Sequence, residues 1–362
     1  MPHRDSHDVI VVGAGASGLA TATALHAAGL DTLCLEARDR VGGRLLSVPT
    51  SRPGRALDLG ATWFWDGEQR VRDLAERSGT GIFDQHLAGD TVFQDAGGIR
   101  RLPGNLIDAP ARRFADGAQS LSFVLAASLP SDALRLSTPV TEIRAAARGG
   151  LAVRTPTGPV RAEHVVLALP PALAVAHIDF GDALPDDLVR LARSTPVWMG
   201  AVVKVVARYR SAFWRQAGLA GAGISRVGPL QELHDMSGPD GDPAALFGFA
   251  PAQALRPNLP RAVTEQLTLL FGQAAASPEA LHVQDWSQER WTSPPHRHRL
   301  QDFGLFGHAL YQRPALDGRL HWASTETAAE HAGHIEGALA AAERAATAVL
   351  SAAAAPAMNP NR

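Results

Sequence analysis

The sequence predicts an α/β protein built in two parts, and three observations carry that reading. At 362 residues the chain can bury a large core and is long enough for about two domains. It opens with an apolar strand, a glycine-rich turn and a helix, the alternation from which parallel sheets are made. Further on, apolar runs separated by Gly and Pro turns read as successive strands, and the chain closes on an Ala-rich helix.

In DVIVVGAGASGLATATALHAAGL, the strand Val9 to Val12 leads into Gly13-Ala14-Gly15-Ala16-Ser17-Gly18, and the following helix is ended by Gly29. Gly13 makes the tight turn, Gly15 admits a pyrophosphate to the backbone and Gly18 lets helix and strand pack closely. The next strand, DTLCLE, ends in Glu36, about twenty residues on, where a carboxylate accepts hydrogen bonds from ribose hydroxyls. Strand, turn, helix and acid are in register, which defines a Rossmann-like dinucleotide cradle. The motif alone does not choose between FAD and NAD.

Past Glu36 the chain reads EARDRVGGR, with Arg38, Arg40, Gly42, Gly43 and Arg44. Adjacent glycines make a concave run of N–H donors and arginine pairs with phosphate in fixed geometry; a solvated basic turn is the other reading. LDLGATWFW follows, an apolar Gly-containing segment with Trp63, Phe64 and Trp65 that is expected to be buried against something flat, and Gly60, Ala61, Thr62 and Trp63 in it are candidate cofactor-binding residues. Near the C-terminus, LHWASTETAAEHAGHIEGALAAAERAA sets a polar turn between a strand and a helix that begins near Gly333. A helix start presents N–H groups and a partial positive charge, suited to a group that is or becomes anionic.

Composition excludes several classes. Formal charge is -2, with Lys+Arg 34 against Asp+Glu 36, so no field favours nucleic acid or an anionic membrane. Cys34 is the only cysteine, which excludes an internal disulfide framework and any multi-cysteine metal site, and no metal is expected. Without a secretory leader or an apolar stretch long enough to span a bilayer, the expectation is a soluble, cytoplasmic protein.

Taken together, the glycine unit, LEARDRVGGR, LDLGATW, RLSTPVTEI, VVLALPP, GAVVKVVARYRSAFW, DWSQE and ASTETA with GHIEGA and AAERAA resemble the flavin-containing amine oxidases, the monoamine and polyamine oxidase superfamily. The segments occur in that family's order and cover nearly the whole chain. The resemblance implies FAD as cofactor, with a Rossmann-like FAD-binding domain from residues 1–77, 118–193 and 286–352. A smaller, reduced α+β substrate domain is implied from residues 78–117 and 194–285. It also implies that Thr325 and Glu326 contact the ribityl and phosphate portion. The N–H groups of Gly333, His334 and Ile335 would face the pyrimidine edge of the ring, where charge gathers on reduction. Val140 matches a position meeting the adenine half, and Trp286 a tryptophan packed near the ring. Lys204, in the middle of an apolar strand, matches the lysine that holds a water at flavin N5; an edge lysine facing solvent is the alternative.

Two departures qualify the resemblance. Pro295 stands where some relatives carry a flavin-linking cysteine, so non-covalent FAD is expected. His296 and His334 stand where monoamine oxidases place two tyrosines before the flavin, and an imidazole pair can bind or deprotonate an ammonium group. The segment from Ser78 to Ala118 is short for the family, leaving the pocket less enclosed or closed by a second subunit, as in a homodimer. The implied reaction is oxidation of an amine C–N bond to an imine by hydride transfer to flavin N5, with dioxygen or another acceptor reoxidising the flavin. A desaturase or oxidase acting on a non-amine substrate, or an FAD-binding protein of low activity, are the alternatives.

Overall fold

The computed structural model describes residues 6–147, 149–254, 257–294 and 303–354. Two compact units share the chain: the first takes residues up to Gly43, Leu121–Trp198 and those from Pro294 on, and the second Arg44–Ser120 and Met199–Ser293.

The first unit is organised by a parallel sheet whose strands run in the order Leu134–Arg135, Thr32–Leu35, Ser6–Val12, Gly158–Leu167 and Leu320–Trp322. Val9 through Val12 are all buried, the continuous apolar run expected of a parallel strand covered on both faces. Gly158–Leu167 is long enough to serve two purposes. Its first half pairs antiparallel with Leu151–Thr155, and its second half pairs parallel with Leu320–Trp322. Ile10, Leu33, Val165, Leu167, Leu320 and Trp322 join one core cluster. The helix Ala16–Ala27 packs beside the closing helix Ile335–Ala354.

In the second unit a seven-stranded sheet runs in the order Ala280–Asp285, Val202–Tyr209, Ala244–Pro251, Glu232–Asp235, Leu219–Ser225, Asp90–Asp95 and Gly98–Leu102. Successive side chains alternate between its faces. Val203, Val205, Ala207 and Leu246 pack with Val263 and Leu267 of the helix Leu259–Phe271. Val206, Ala245 and Phe247, on the opposite face, pack with Leu57 and Leu59.

Residues 44–77, expected in the FAD-binding part, belong to this second compact unit because Leu57 and Leu59 complete that apolar face. The short segment after Ser78 also has structure of its own. Asp90–Asp95 runs parallel to Leu219–Ser225 and Gly98–Leu102 pairs antiparallel beside it, so the segment supplies one edge of the sheet.

Candidate functional site

In the first unit the three motif glycines have different physical reasons. Gly13 has φ +106, and a Cβ there would lie 2.9 Å from the Ala168 carbonyl oxygen. At Gly18 a Cβ would fall 1.8 Å from the Gly13 carbonyl oxygen, so helix and turn touch through backbone. Gly15 is open by comparison, its nearest such neighbour being the Gly42 carbonyl oxygen at 3.8 Å. It caps the helix Ala16–Ala27 without a side-chain hydrogen bond, and no acidic residue occupies the first turn. Room at Gly15 and unmet helix N–H groups are what a pyrophosphate requires.

The second glycine loop closes on this turn. Gly42 N donates to the Ala14 carbonyl at 2.8 Å, Gly43 has φ +58, and the Arg40 guanidinium donates to the Val41 and Gly43 carbonyls. Arg40 is therefore spent on holding the loop. Glu36 is 4% exposed and accepts from the Ala14 N–H at 2.6 Å and the Arg38 N–H at 2.8 Å. Its carboxylate is pinned at the end of its strand, with lone pairs left for ribose hydroxyls. Arg38 and Arg44 are half-buried, Arg38 also accepting from Ser137 N through its carbonyl. Val140 is buried in the first core. The Ser17 hydroxyl donates to the Ala323 carbonyl, tying the helix start to the C-terminal turn.

That turn differs from expectation in one respect. Thr325 Oγ1 accepts from Gly333 N at 2.8 Å and donates to the His334 carbonyl at 2.8 Å, while His334 N donates to the His331 carbonyl. Two of the three amides expected to face a flavin edge are thus satisfied within the protein, because the Thr325 hydroxyl bridges the turn to the helix start. Thr325 acts here as a clamp. Glu326 is fully buried and its carbonyl accepts from Gly307 N; Ile335 is buried and His334 exposed. Arg344, which the sequence reading passed over, donates to Trp322 O, Thr327 O, Thr327 Oγ1 and Gln312 Oε1 from the closing helix. His296 lies outside the described residues, so the expected histidine pair has one described member.

The second unit holds a lysine cluster. Lys204 is 0% exposed, and its strand is paired on both sides, with Phe249 and Gln284 opposite it. The edge-lysine alternative is therefore overturned. Nζ donates to the Gly60 carbonyl at 2.9 Å and to Thr62 Oγ1, and sits 4.2 Å from the Phe247 ring centroid. Burial pulls its pKa down to about 7, with Asp58 opposing the shift and Arg113 adding to it.

Gly60 is required by a backbone crossing: a Cβ there would lie 2.0 Å from the Arg44 carbonyl oxygen. The same carbonyl accepts from Ala61 N at 3.2 Å, and Leu46 O accepts from Leu59 N and Gly60 N. Trp286 is fully buried with its indole N–H on the Leu59 carbonyl at 2.8 Å, so it fastens this segment. Trp63 is half-buried, its Nε1 donating to Gln85 Oε1, and packs edge-on to His234 and against Phe247.

Asp58 was missed in the sequence. It is 1% exposed, its Oδ1 accepting from Ser47 Oγ at 2.6 Å and Ala118 N at 2.8 Å, and burial raises its pKa. The signal was present: an acid inside the apolar run ALDLG is as costly as the lysine inside VVKVV. Arg113, 2% exposed and donating to the Met236 and Ser237 carbonyls, gave no comparable signal.

Comparison with known proteins identifies the family. Residues 84–350 match the family of flavin containing amine oxidoreductases, and residues 11–78 match the NAD(P)-binding Rossmann-like domain. Putrescine oxidase of Kocuria rosea is 27% identical over 95% of this chain and 95% of its own. Flavin-containing amine oxidase B of Sus scrofa is 26% identical over 95% and 86%. Among solved structures, cyclohexylamine oxidase from Brevibacterium oxydans IH-35A superposes with a TM-score of 0.83 at 25% identity, covering 96% of this chain and 99% of that one. Putrescine oxidase bound to putrescine shares the fold, with a TM-score of 0.83 at 23% identity over 96% and 99%. The chain belongs to the flavin containing amine oxidoreductase family and is a flavin-dependent oxidoreductase whose cofactor is FAD.

Proposed function

We propose that the protein oxidises an amine at its C–N bond to an imine, which water then hydrolyses. The single observation that carries this reading is buried Lys204, hydrogen-bonded to Gly60 and Thr62 inside a family whose relatives are amine oxidases. FAD, when bound, supplies the hydride acceptor for the amine's α C–H bond and is reoxidised by dioxygen or another acceptor.

The chain supplies binding, orientation and proton positions. Gly13, Gly15, Ser17 and Gly18 offer the turn and helix start for the pyrophosphate, with Gly42 and Gly43 beside them and the Arg38 and Arg44 cations adding positive charge. Glu36 accepts from ribose. Val140, Gly60, Ala61, Thr62, Trp63, Trp286, Glu326 and Ile335 are the other cofactor contacts in this reading, while Thr325 clamps the turn through the Gly333 amide and the His334 carbonyl. Burial lowers the Lys204 pKa, so Nζ gives up its proton more readily than an exposed lysine and can hold a water and take or give a proton there.

Linkage is non-covalent in this reading. A thioether needs a thiolate, and Cys34 is buried with its thiol pushed far up by desolvation, its Sγ lying 3.6 Å from the Gly13 carbonyl oxygen. A single buried cysteine also fits a reducing compartment such as the cytoplasm. No helix among the described residues is long and apolar enough to cross a membrane.

An anaerobic visible spectrum, taken before and after a panel of primary, secondary and polyamines, tests the proposal. Bleaching by one amine class, with yellow supernatant after acid precipitation, is the expected result. FAD binding without bleaching by any amine would move the reading to a desaturase-type reaction or a flavoprotein of low turnover.

A further inference from the structure

Sheet register in the second unit places a polar strip on the face that carries the lysine. Lys204, Phe249 and Glu232 form one row across three strands, and Val206, Phe247 and His234 form the next. His234 is 4% exposed and stacks on Phe247 with ring centroids 4.8 Å apart and planes at 22°. Its Nδ1 lies 2.7 Å from Asp108 Oδ1, and the Asp108 side chain is equally buried. A carboxylate can only accept, so in the neutral ring Asp108 holds the proton on Nδ1 and Nε2 carries the lone pair.

Nε2 has no hydrogen-bond partner among the described residues. The nearest carboxylate oxygen, Glu232 Oε2, is 4.0 Å away, beyond hydrogen-bonding reach, on a side chain that is 60% exposed. An acceptor buried without a donor is costly to keep. The groups around it select what that donor would be. Charged and titratable groups near the imidazole are Asp108, Glu232 on its own strand, Lys204 two strands away, and Arg113, which is coupled to Asp108. Trp63 meets the imidazole edge-on at 5.1 Å and Phe249 at 6.4 Å, so aromatic rings enclose the ring while the Asp108 and Glu232 carboxylates are set against the Lys204 and Arg113 cations, and an N–H donor is what the Nε2 acceptor calls for. The Phe247 ring already carries an amine group, Lys204 Nζ at 4.2 Å.

We propose that the His234–Asp108 pair is an amine-recognition site, in which His234 Nε2 accepts an N–H of the substrate's amino group and Asp108 positions the imidazole. This rests on the amine-oxidising reading above and names the residues that would read the nitrogen. Lys204 sets a limit on it, since a protonated lysine repels a second ammonium group and a neutral one does not.

The test uses holoenzyme with tert-butylamine, which has no hydrogen on its α-carbon and so binds without being oxidised. Binding is followed by calorimetry, and the tautomer by 15N NMR of the histidine ring. His234→Phe keeps the stack on Phe247 and removes the acceptor; the dissociation constant is expected to rise about tenfold or more. His234→Gln returns an acceptor and should recover most of the affinity. In Asp108→Asn the amide can donate to Nδ1, moving the ring proton to Nε2, so amine binding should fall while FAD content is retained. Unchanged affinity in His234→Phe, or a protonated Nε2 in the neutral wild-type ring, overturns the proposal. If His234→Phe does not fold, the same comparison is made with His234→Gln and Asp108→Asn, where a wild-type tautomer and affinity in Asp108→Asn overturn it. A wild-type protein that neither binds tert-butylamine nor is bleached by any amine overturns the parent reading, and this one with it.

Discussion

Lys204 Nζ donates to the Gly60 carbonyl oxygen at 2.9 Å, joining the middle of a strand to a glycine 144 residues earlier. Gly60 is itself fixed by the Arg44 backbone crossing it, so the lysine is held by a rigid acceptor and not by a mobile side chain alone. Precise placement of a proton-bearing nitrogen follows from that rigidity, and the consequences can be measured.

Replacing Lys204 by Met should slow flavin reduction or reoxidation while leaving FAD bound. It should also flatten the pH dependence of stability. Burial holds the Lys204 pKa down to about 7 in the folded protein, against the ordinary lysine value near 10.5 in the unfolded chain, so between these values the unfolded chain binds the extra proton. Wild-type stability therefore gains a contribution as pH rises from 7 toward 10.5, on the order of a few kcal/mol, that the variant lacks. Urea unfolding at several pH values in this window checks the sign; identical slopes for both proteins would contradict the buried-lysine assignment.

Asp58→Asn retains an oxygen for Ser47 Oγ and Ala118 N but removes the charge that opposes the downward shift of Lys204. Lys204 should then lose its proton at lower pH, and the stability gain should begin below about 7. A pH series on the single variant and on the double variant with Lys204→Met separates this coupling from a local packing change.

Gly15→Ala and Gly18→Ala should behave differently. Gly18→Ala forces a Cβ 1.8 Å from the Gly13 carbonyl oxygen, and destabilisation of about 3 kcal/mol or failure to fold is expected. In Gly15→Ala the new Cβ lies 3.8 Å from the Gly42 carbonyl oxygen, an ordinary contact, so the apoprotein should fold while FAD affinity drops. Thermal unfolding without cofactor and FAD titration together distinguish the two.

Arg344→Met removes the guanidinium donor from the Trp322 carbonyl and leaves the Thr327 carbonyl with Gln312 Nε2 alone, beside the C-terminal turn. A loss of about 2–4 kcal/mol is expected from these charge-assisted hydrogen bonds. A change within about 0.5 kcal/mol in urea unfolding, the range of an ordinary surface substitution, would show that the arginine does not hold the turn.

The sequence by itself determined the features whose causes are local. Gly13, Gly15 and Gly18 follow one strand and open one helix, so turn geometry and the position of Glu36 could be read from spacing. Burial of Lys204 was readable too, because side chains alternate with period two and its neighbours are apolar. Only the tertiary structure decided which distant groups share a face. Asp58, Asp108, Arg113 and His234 come from separate segments, and the register that sets His234 opposite Phe247, and Phe249 opposite Lys204, is a property of strand pairing. The Gly333 and His334 amides show the same limit from the other side: a helix start predicts free donors, but the Thr325 hydroxyl and the His331 carbonyl take them. Local conformation is written in spacing and glycine positions, whereas hydrogen-bond partners depend on where the rest of the chain returns.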